Sequence, residues 1–369
     1  MAIKEKELAE ILKNLDTNPA LHACPMDFSK YSSVNPRAGT IQKDYGEGAD
    51  KSNFNDRAKF ANRLLPAFSA HFGDQPGEIP VEANRYRLVW TKQCPYATRV
   101  AIAISLLGLD NVISKGLVDP LRPAGVVGDW FFTLGPGNVD PVLKTHSLGE
   151  SYRKADPNYK DRVTVPAIVD IKTGKVVNNN YHHLINELDV AWKKYQPADA
   201  PDLYPEDLRE DIDALDKIIY GDLNLAIGAA ADAESQADYE KHYDQVFNRL
   251  DWLEERLSKH RFLIGNKVTD PDIRLYVILI WFDIVDYQKF YLNKKRLIDY
   301  PNLWNYAKDL YSIPGFKNNT GFEDIKQRVY YLDHTPFKDF PRLVPKGPDL
   351  SIWDEPNDRA EKFPGTNWR

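Results

Sequence analysis

One cysteine in this chain of 369 residues stands where a thiol could act as a nucleophile. Cys94 follows a β-branched and aromatic run, 85–91, and precedes an apolar run that ends at Gly108, which predicts a strand, then Cys94, then a helix. Pro95 suits the first helical position. The N–H groups at a helix N-terminus carry partial positive charge, which favours the reactive thiolate. The alternative is a small, inert core cysteine.

The elements around Cys94 predict a thioredoxin-like domain over 81–196. After the Cys94 helix we expect a strand near 112–118. A later segment, 162–170, predicts a strand that continues through a tight turn into a second strand, followed by a helix from about Asn180. A βαβ unit followed by a β-hairpin and a helix is the order of a thioredoxin-like domain.

Pro166 is the residue that this fold would place opposite the cysteine. In a thioredoxin-like fold the proline at this position follows a cis peptide bond and faces the nucleophile. The cis bond would turn the backbone groups of Val165 toward a bound thiol compound, which could pair with them like an added strand. From the residues alone a trans bond is the commoner outcome, so this prediction depends on the fold.

The remaining segments predict an extension, a helical domain and a tail. Residues 1–80 form an N-terminal extension without recognisable chemistry. After a proline-rich linker, 197–335 reads as all-helical, and Thr269 with Asp272 has the spacing of a capping box at a helix start. The tail, 336–369, is rich in proline and charge, so we expect it to lie on the surface.

The composition is that of an ordinary globular protein, with 43% hydrophobic and 28% charged residues and a net charge of -6. No basic field favours nucleic acid, and no apolar run is long enough to span a membrane, so we expect neither partner. The two cysteines, Cys24 and Cys94, exclude a disulfide scaffold, although not a single bond between them. Few cysteines and a charged N-terminus predict a cytoplasmic protein.

Other common catalytic patterns are missing from the sequence. No Cys/His cluster has zinc spacing, so we expect no metal. Neither a phosphate loop nor a dinucleotide fingerprint occurs, and Gly-x-Ser-x-Gly is absent. The chemistry is therefore expected at the thiol.

Several stretches resemble one branch of the glutathione transferases, the glutathionyl-hydroquinone reductases or Xi class. The family run Cys-Pro-Trp-Ala-x-Arg is matched by 94–99, and its segment Asp-Pro-x-Tyr-x-x-Arg-Val-Thr-Val-Pro is matched by 156–166. Further matches lie in the helical half, at 265–275, 282–283, 299–303 and 313–315. The likeness covers roughly 81–335. It implies an α/β plus all-α protein, with a thioredoxin-like N-terminal domain and an all-helical C-terminal domain.

The resemblance implies a thiol-transfer reaction on an aromatic thiol conjugate. The cysteine thiolate, here Cys94, would take the glutathionyl sulfur of an S-glutathionylated hydroquinone as a mixed disulfide, and a second glutathione would release it as glutathione disulfide. Glutathione is then the co-substrate, and a homodimer is expected. The residues implied in binding glutathione are Trp130, Val165, Pro166, Asn180 and Tyr181.

Two aromatic residues acquire a role only through this resemblance. Trp130 matches a family tryptophan that lies beside the glutathione; a loop anchor in the core is the equal alternative. Tyr330, or Tyr331 if the gap falls elsewhere, matches a tyrosine that could donate a proton to the departing hydroquinone carbon. Plain helix packing is the alternative for either tyrosine.

The sequence also departs from the family at the start of the last helix of the thioredoxin-like domain. Asn180 and Tyr181 stand where the superfamily places Glu-Ser to hold the γ-glutamyl end of glutathione. Asparagine can cap a helix and accept hydrogen bonds, but it offers no negative charge to an ammonium group. Three hypotheses follow: a thioltransferase that uses glutathione or another small thiol, a non-enzymatic binding or scaffold protein, and a conjugating transferase that forms no disulfide.

Overall fold

The computed structural model describes residues 66–121, 128–331 and 344–369. These residues form two compact units. One unit contains 66–198 together with 319–331, and the other contains 199–318 together with 346–369. Cys24 and most of the predicted N-terminal extension lie outside the described residues.

The first unit is built on a four-stranded mixed sheet in the order β2–β1–β3–β4. β1 runs parallel to β2 and antiparallel to β3, and β3 pairs with β4 in a hairpin. All five residues of β1 are buried, as expected for a strand covered on both faces. The strands are β1 (Tyr86–Trp90), β2 (Ser114–Leu117), β3 (Ala167–Asp170) and β4 (Lys175–Asn178). The predicted thioredoxin-like arrangement is confirmed.

Within 66–121 and 128–198, three helices accompany this sheet, and single 3-10 turns lie at Pro136–Asn138 and Lys193–Tyr195. The helices are α1 (Pro95–Leu106), α2 (Leu148–Ala155) and α3 (Leu184–Ala191). The predicted end of α1 is confirmed, because Gly108 follows it with a φ of 68°, in the left-handed region that glycine adopts most easily. A Cβ at this position would also lie 2.6 Å from the ring of Pro197.

The regular secondary structure in the described residues of the second unit is helical. Its helices are α4 (Arg209–Ile219), α5 (Ala226–Ala231), α6 (Gln236–Lys259), α7 (Asp270–Trp281), α8 (Tyr287–Lys289), α9 (Pro301–Ser312) and α10 (Pro314–Lys317). π-Helical segments at Tyr220–Leu225 and Phe282–Asp286 continue α4 and α7. Short 3-10 turns lie at Glu206–Leu208, Leu297–Asp299 and Ser351–Asp354.

Helix α7 is the centre of the second unit. It is buried on all sides from Asp270 to Ile280, as its nearly continuous apolar run predicts. Its N-terminus is capped as predicted, because the N–H of Thr269 donates to Oδ2 of Asp272 at 2.9 Å. None of the helices in the described part of the chain is long and apolar enough to cross a membrane.

Residues 319–331 pack with the thioredoxin-like unit, although they follow the helical unit in the chain. Lys115 of β2 donates to Oδ1 of Asn319 at 3.2 Å, and Nδ2 of Asn319 donates to the hydroxyl of Ser105 on α1 at 3.0 Å. Helix α11 (Phe322–Lys326) and a π-helical turn, Gln327–Tyr331, follow. Side-chain hydrogen bonds that no sequence pattern predicts therefore attach this segment to the sheet and to α1.

The segment 346–369 is part of the helical unit, and most of its residues are exposed, as expected of a surface tail, but two buried side chains anchor it. Arg359, at the start of the short helix α12 (Arg359–Lys362), is only 1% exposed. Its guanidinium donates to the carbonyl oxygens of Leu257, His260 and Arg261. Trp353 is also buried, with its ring centroid 4.9 Å from that of Trp304. A composition rich in proline and charge concealed these two anchoring residues.

Candidate active site

Cys94 is the N-cap residue of α1, with extended backbone angles, and Pro95 occupies the first helical position. The carbonyl of Cys94 accepts hydrogen bonds from the N–H groups of Ala97 at 3.0 Å and Thr98 at 2.8 Å, which begin the helix. The hydroxyl of Thr98 donates back to the carbonyl of Lys92 at 3.1 Å and fixes the loop that carries the cysteine. Cys94 is a free, half-buried thiol. The predicted strand–Cys-Pro–helix arrangement is therefore confirmed.

The peptide bond between Val165 and Pro166 is cis, as the fold hypothesis predicts. The carbonyl oxygen of Val165 lies 3.8 Å from Sγ of Cys94 and accepts its S–H hydrogen bond. The structure therefore brings the thiol and the proline-led edge of the sheet together. A backbone edge beside a thiol suits a peptide-like thiol compound, which can hydrogen-bond to the edge while its sulfur meets the cysteine.

A buried polar network supports this edge. The hydroxyl of Tyr152, on α2, donates to the carbonyl of Thr164 at 2.9 Å. The side-chain amide of Asn179 donates to the hydroxyls of both Tyr152 and Thr164, each at 3.1 Å. Sequence reasoning missed this network, because its members come from three elements and only Thr164 belongs to a motif. The one available signal outside that motif was Asn179, a polar residue directly after a half-buried strand.

The electrostatic environment of the thiol differs from the prediction. Burial raises the pKa of Cys94 and outweighs the groups that lower it, namely hydrogen bonds from the backbone N–H groups of Ala97 and Tyr96 and the charges of Arg162 and Arg99. The expectation of a lowered pKa at the helix N-terminus is therefore wrong. Burial removes the water that would stabilise the thiolate. This loss is larger than the stabilisation that the helix N-terminus and the two arginines provide.

Asn180 and Tyr181 lie in the turn between β4 and α3, beside the first turn of α1. The N–H of Asn180 donates to Oδ1 of Asn178 at 2.7 Å, and Oδ1 of Asn180 accepts from the N–H of His182 at 3.2 Å. The ring centroids of Tyr181 and Tyr96 are 4.5 Å apart. Asn180 thus stabilises its own turn, but α3 begins later than the predicted start near Asn180, at Leu184 with His183 as its N-cap. Tyr181 packs against Tyr96, two residues after Cys94.

The structure places Trp130 in the core of the thioredoxin-like unit, where it is 4% exposed. Its backbone N–H donates to Oδ1 of Asp129, and its carbonyl accepts from the N–H of Leu148 at 2.9 Å. The burial favours the loop-anchor alternative, and a place beside glutathione stays a prediction. Tyr330 is half-buried in the π-helical turn and belongs to the same unit as Cys94. Its role as a proton donor also stays a prediction.

The described residues therefore offer thiol chemistry at this site. Among them, no group of three or more histidine, cysteine, aspartate or glutamate side chains could hold a metal ion. What the site provides is one sulfur nucleophile, a backbone edge for hydrogen bonding, two cationic side chains that favour the thiolate, and aromatic rings beside it.

Comparison with known proteins places these features in a family. The family model described as "Glutathione S-transferase, C-terminal domain" matches residues 236–309. The chain is 34% identical to the glutathionyl-hydroquinone reductase YqjG of Escherichia coli over 289 residues, which cover 78% of this chain and 86% of the relative. The glutathione-bound structure of YqjG has a TM-score of 0.72 and 33% identity, and covers 80% of this chain and 97% of YqjG.

Two further solved structures are similar. A glutathione transferase from Gordonia bronchialis is 41% identical, with a TM-score of 0.72, and the match covers 78% of this chain and 88% of that one. The Xi glutathione transferase from Phanerochaete chrysosporium is 32% identical, with a TM-score of 0.69, and the match covers 77% of this chain and 96% of that one. With a thiol at the start of α1, a cis proline opposite it and these relatives, the chain belongs to the glutathionyl-hydroquinone reductase family of enzymes, the Xi class of glutathione transferases.

Proposed function

We propose that this enzyme reductively removes glutathione from S-glutathionylated hydroquinones, with Cys94 as the nucleophile. The observation that carries the proposal is the position of the Cys94 sulfur at the start of α1, 3.8 Å from the carbonyl oxygen of Val165 at the cis proline. The similarity to YqjG, which is named a glutathionyl-hydroquinone reductase and has a glutathione-bound structure, supports both the reaction and the co-substrate.

The first step forms a disulfide and breaks a carbon–sulfur bond. The Cys94 thiolate attacks the glutathionyl sulfur of the conjugate, and the electron pair of the carbon–sulfur bond goes to the aromatic carbon. That carbon takes up a proton, which Tyr330 is proposed to donate. The products are the hydroquinone, reduced by two electrons, and the Cys94–glutathione mixed disulfide.

The second step regenerates the enzyme. A glutathione thiolate attacks the glutathionyl sulfur of the mixed disulfide, so glutathione disulfide leaves and Cys94 is released as a thiolate. No second cysteine of the protein is required. Tyr96 and Ala97 follow Cys94 and Pro95, so the local sequence carries no resolving thiol, which agrees with a one-cysteine mechanism.

Glutathione would be held by the backbone edge at Val165 and by the turn that carries Asn180 and Tyr181. The backbone edge would pair with the cysteinyl part of glutathione, since that part is itself a peptide. The turn would meet the γ-glutamyl end, as in the family. A homodimer is expected from the family resemblance, and sedimentation velocity of the purified protein tests it.

The experiment is the reduction of an S-glutathionylated hydroquinone by the wild-type protein and by Cys94→Ser. We expect the variant to lose turnover almost completely, because a hydroxyl cannot form the mixed disulfide. Cys24→Ser is the matched control, since it removes the other cysteine of the chain, and it should keep wild-type turnover. Turnover by Cys94→Ser at the wild-type rate would contradict the mechanism, and an inactive wild-type protein would favour a binding or scaffold role.

A second candidate is the same reaction with a different small thiol. It is favoured by Asn180 and Tyr181, which place no carboxylate at the positions where the superfamily holds the γ-glutamyl ammonium group. Release of the Cys94 mixed disulfide by glutathione and by glutathione acetylated on that ammonium group separates the two candidates. Equal rates would show that the ammonium group is not recognised and would favour another thiol, whereas a large loss on acetylation would favour glutathione.

A further inference from the structure

Arg99 is a buried cation in the second turn of α1, and it is 4% exposed. Its guanidinium carbon lies 5.4 Å from the ring centroid of Tyr96 and 5.4 Å from that of Tyr181. Its Nη2 donates a hydrogen bond to the carbonyl oxygen of Tyr181 at 2.5 Å. Arg99 thus joins the helix of the catalytic cysteine to the turn before α3 through a cation–π contact and a charge-assisted hydrogen bond to Tyr181, and its contact with Tyr96 lies within α1.

The turn that Arg99 contacts also joins α1 through its aromatic rings. The Tyr96 and Tyr181 centroids are 4.5 Å apart, and the ring of His182 continues the row at 4.2 Å from Tyr181. Close aromatic pairs of this kind add orientation to simple burial. The turn that carries Asn180 is therefore held against α1 by backbone and side-chain contacts together, and Arg99 takes part in both.

The charge of Arg99 also acts on the cysteine. Two charged side chains that lower the pKa of Cys94 are Arg162, from the segment that leads to Pro166, and Arg99, from the helix that begins at Cys94. Both favour the thiolate against the effect of burial. One side chain thus acts at the sulfur and also at the turn proposed to hold the far end of the thiol compound.

We propose that Arg99 is the positioning residue of this thiol site: its planar guanidinium holds the 180–183 turn in place for the bound thiol compound. A second, subordinate role belongs to its charge, which lies on the helix that begins at Cys94 and favours the thiolate. The proposal rests on the proposed function, since it assigns Arg99 a part in the same reaction. The first role depends on the flat, forked shape of the guanidinium. The second role depends only on its positive charge. Lysine keeps only the charge, so substitutions can separate the two roles.

Arg99→Lys tests the role of shape. We expect the KM for an S-glutathionylated hydroquinone to rise about tenfold, the size of the loss of one hydrogen bond from a charged donor. The pH midpoint for alkylation of Cys94 by iodoacetamide should stay close to that of the wild type, because the charge remains. This division between KM and the pH profile is not expected from general loss of stability.

Arg99→Met tests the role of charge. We expect the same rise in KM, and in addition an upward move of the alkylation midpoint by about half a pH unit, which lowers the thiolate fraction about threefold below the midpoint. Alkylation needs no turnover, so this readout does not depend on the identity of the substrate.

Arg85 supplies the matched control in the same unit. Its guanidinium carbon lies 5.5 Å from the ring centroid of Tyr86, and its Nη2 donates to Asp170 at 2.9 Å, so these contacts involve β1 and β3 rather than α1 or the 180–183 turn. Arg85→Lys and Arg85→Met should lower the thermal midpoint while KM and the alkylation midpoint stay at wild-type values.

Wild-type KM and a wild-type alkylation midpoint in Arg99→Met would overturn the proposal, as would equal changes in Arg85→Met. If Arg99→Met does not fold, Arg99→Lys decides, since a wild-type KM in that variant is incompatible with a positioning role. A wild-type protein without turnover would contradict the proposed function instead, and the difference in alkylation midpoint between Arg99→Met and Arg85→Met would still decide whether the charge of Arg99 acts on Cys94.

Discussion

Cys94 illustrates how opposing local effects decide the reactivity of a single residue. The helix N-terminus and two arginines favour its thiolate, whereas burial favours its thiol, and burial is the larger effect. The motif around Cys94 reveals the helix N-terminus and Arg99, because both are near the cysteine in sequence, whereas Arg162 is brought to it by the fold. Burial depends on what packs around the sulfur in three dimensions, which is why sequence reasoning predicted the wrong direction for the pKa.

The raised pKa of Cys94 predicts how its reactivity depends on pH. Alkylation proceeds through the thiolate, so a group that holds its proton more tightly than an ordinary cysteine reacts more slowly at neutral pH. The rate of Cys94 alkylation by iodoacetamide, followed by peptide mass spectrometry, should rise with pH and reach its midpoint above that of free cysteine measured in parallel. A midpoint below that of free cysteine would show that the helix end and the arginines outweigh burial.

Tyr330→Phe tests the proposed proton donor. Release of the hydroquinone requires protonation of a carbon, so we expect the variant to reduce S-glutathionylated hydroquinone about a hundredfold more slowly, the lower range for loss of general acid catalysis. Reduction of a mixed disulfide between glutathione and mercaptoethanol should be unchanged, because its leaving group is a thiolate that needs no carbon protonation. Tyr291→Phe, at a tyrosine that is 63% exposed, is the control. Equal loss on both substrates would assign Tyr330 a packing role.

At the scale of elements, local patterns predicted those that position the thiol. The run before Cys94, the proline after it and Gly108 predicted β1, the start of α1 and its end. The strand predicted over 162–170 is shorter in the structure, because only Ala167–Asp170 pairs with its neighbours. The residues before it instead hydrogen-bond through side chains to Tyr152 and Asn179, and such contacts leave no periodicity in the sequence.

Gly321, the residue before helix α11, lies against the loop that carries Cys94. A Cβ at this position would lie 2.5 Å from Cβ of Lys92 and 2.6 Å from Oδ2 of Asp324. Lys92 precedes Cys94 by two residues, so the added methyl group must displace either the loop or helix α11. We expect Gly321→Ala to lower the free energy of unfolding by about 1–3 kcal/mol and to slow Cys94 alkylation.

Gly228 provides the control for this substitution. It lies in helix α5, and a Cβ there would meet no atom within 4 Å. Gly228→Ala should leave alkylation unchanged and raise the free energy of unfolding by up to about 1 kcal/mol, because alanine favours a helix interior over glycine. Urea denaturation and alkylation rates measure both quantities. Wild-type stability and reactivity in Gly321→Ala would show that the loop or the helix can move to accommodate the methyl group without affecting Cys94.

At the scale of the whole molecule, the division into a thioredoxin-like part and a helical part was predicted from the order of elements and from the family resemblance. The sequence did not predict to which unit two segments belong. Residues 319–331 pack with the thioredoxin-like unit, and 346–369 pack with the helical unit. Both depend on individual polar side chains, such as Asn319 and Arg359, whose partners are more than ninety residues away in the chain.

Arg359→Met tests whether the C-terminal segment stabilises the helical unit. The substitution leaves three carbonyl oxygens without their donor in a buried place, so we expect the free energy of unfolding to fall by about 3 kcal/mol or more. Lys362→Met, on the exposed side of the same short helix, should change it by less than about 0.5 kcal/mol. Comparable values for the two variants in urea denaturation would assign the segment no part in stability.

Mass spectrometry of the protein after one equivalent of S-glutathionylated hydroquinone, without free glutathione, shows whether Cys94 takes the glutathionyl group from an aromatic conjugate. We predict a glutathione adduct on the Cys94 peptide, hydroquinone released in equal amount, and loss of the adduct when glutathione is added. An unmodified Cys94 beside intact conjugate, or an adduct confined to Cys24, would contradict the proposed mechanism.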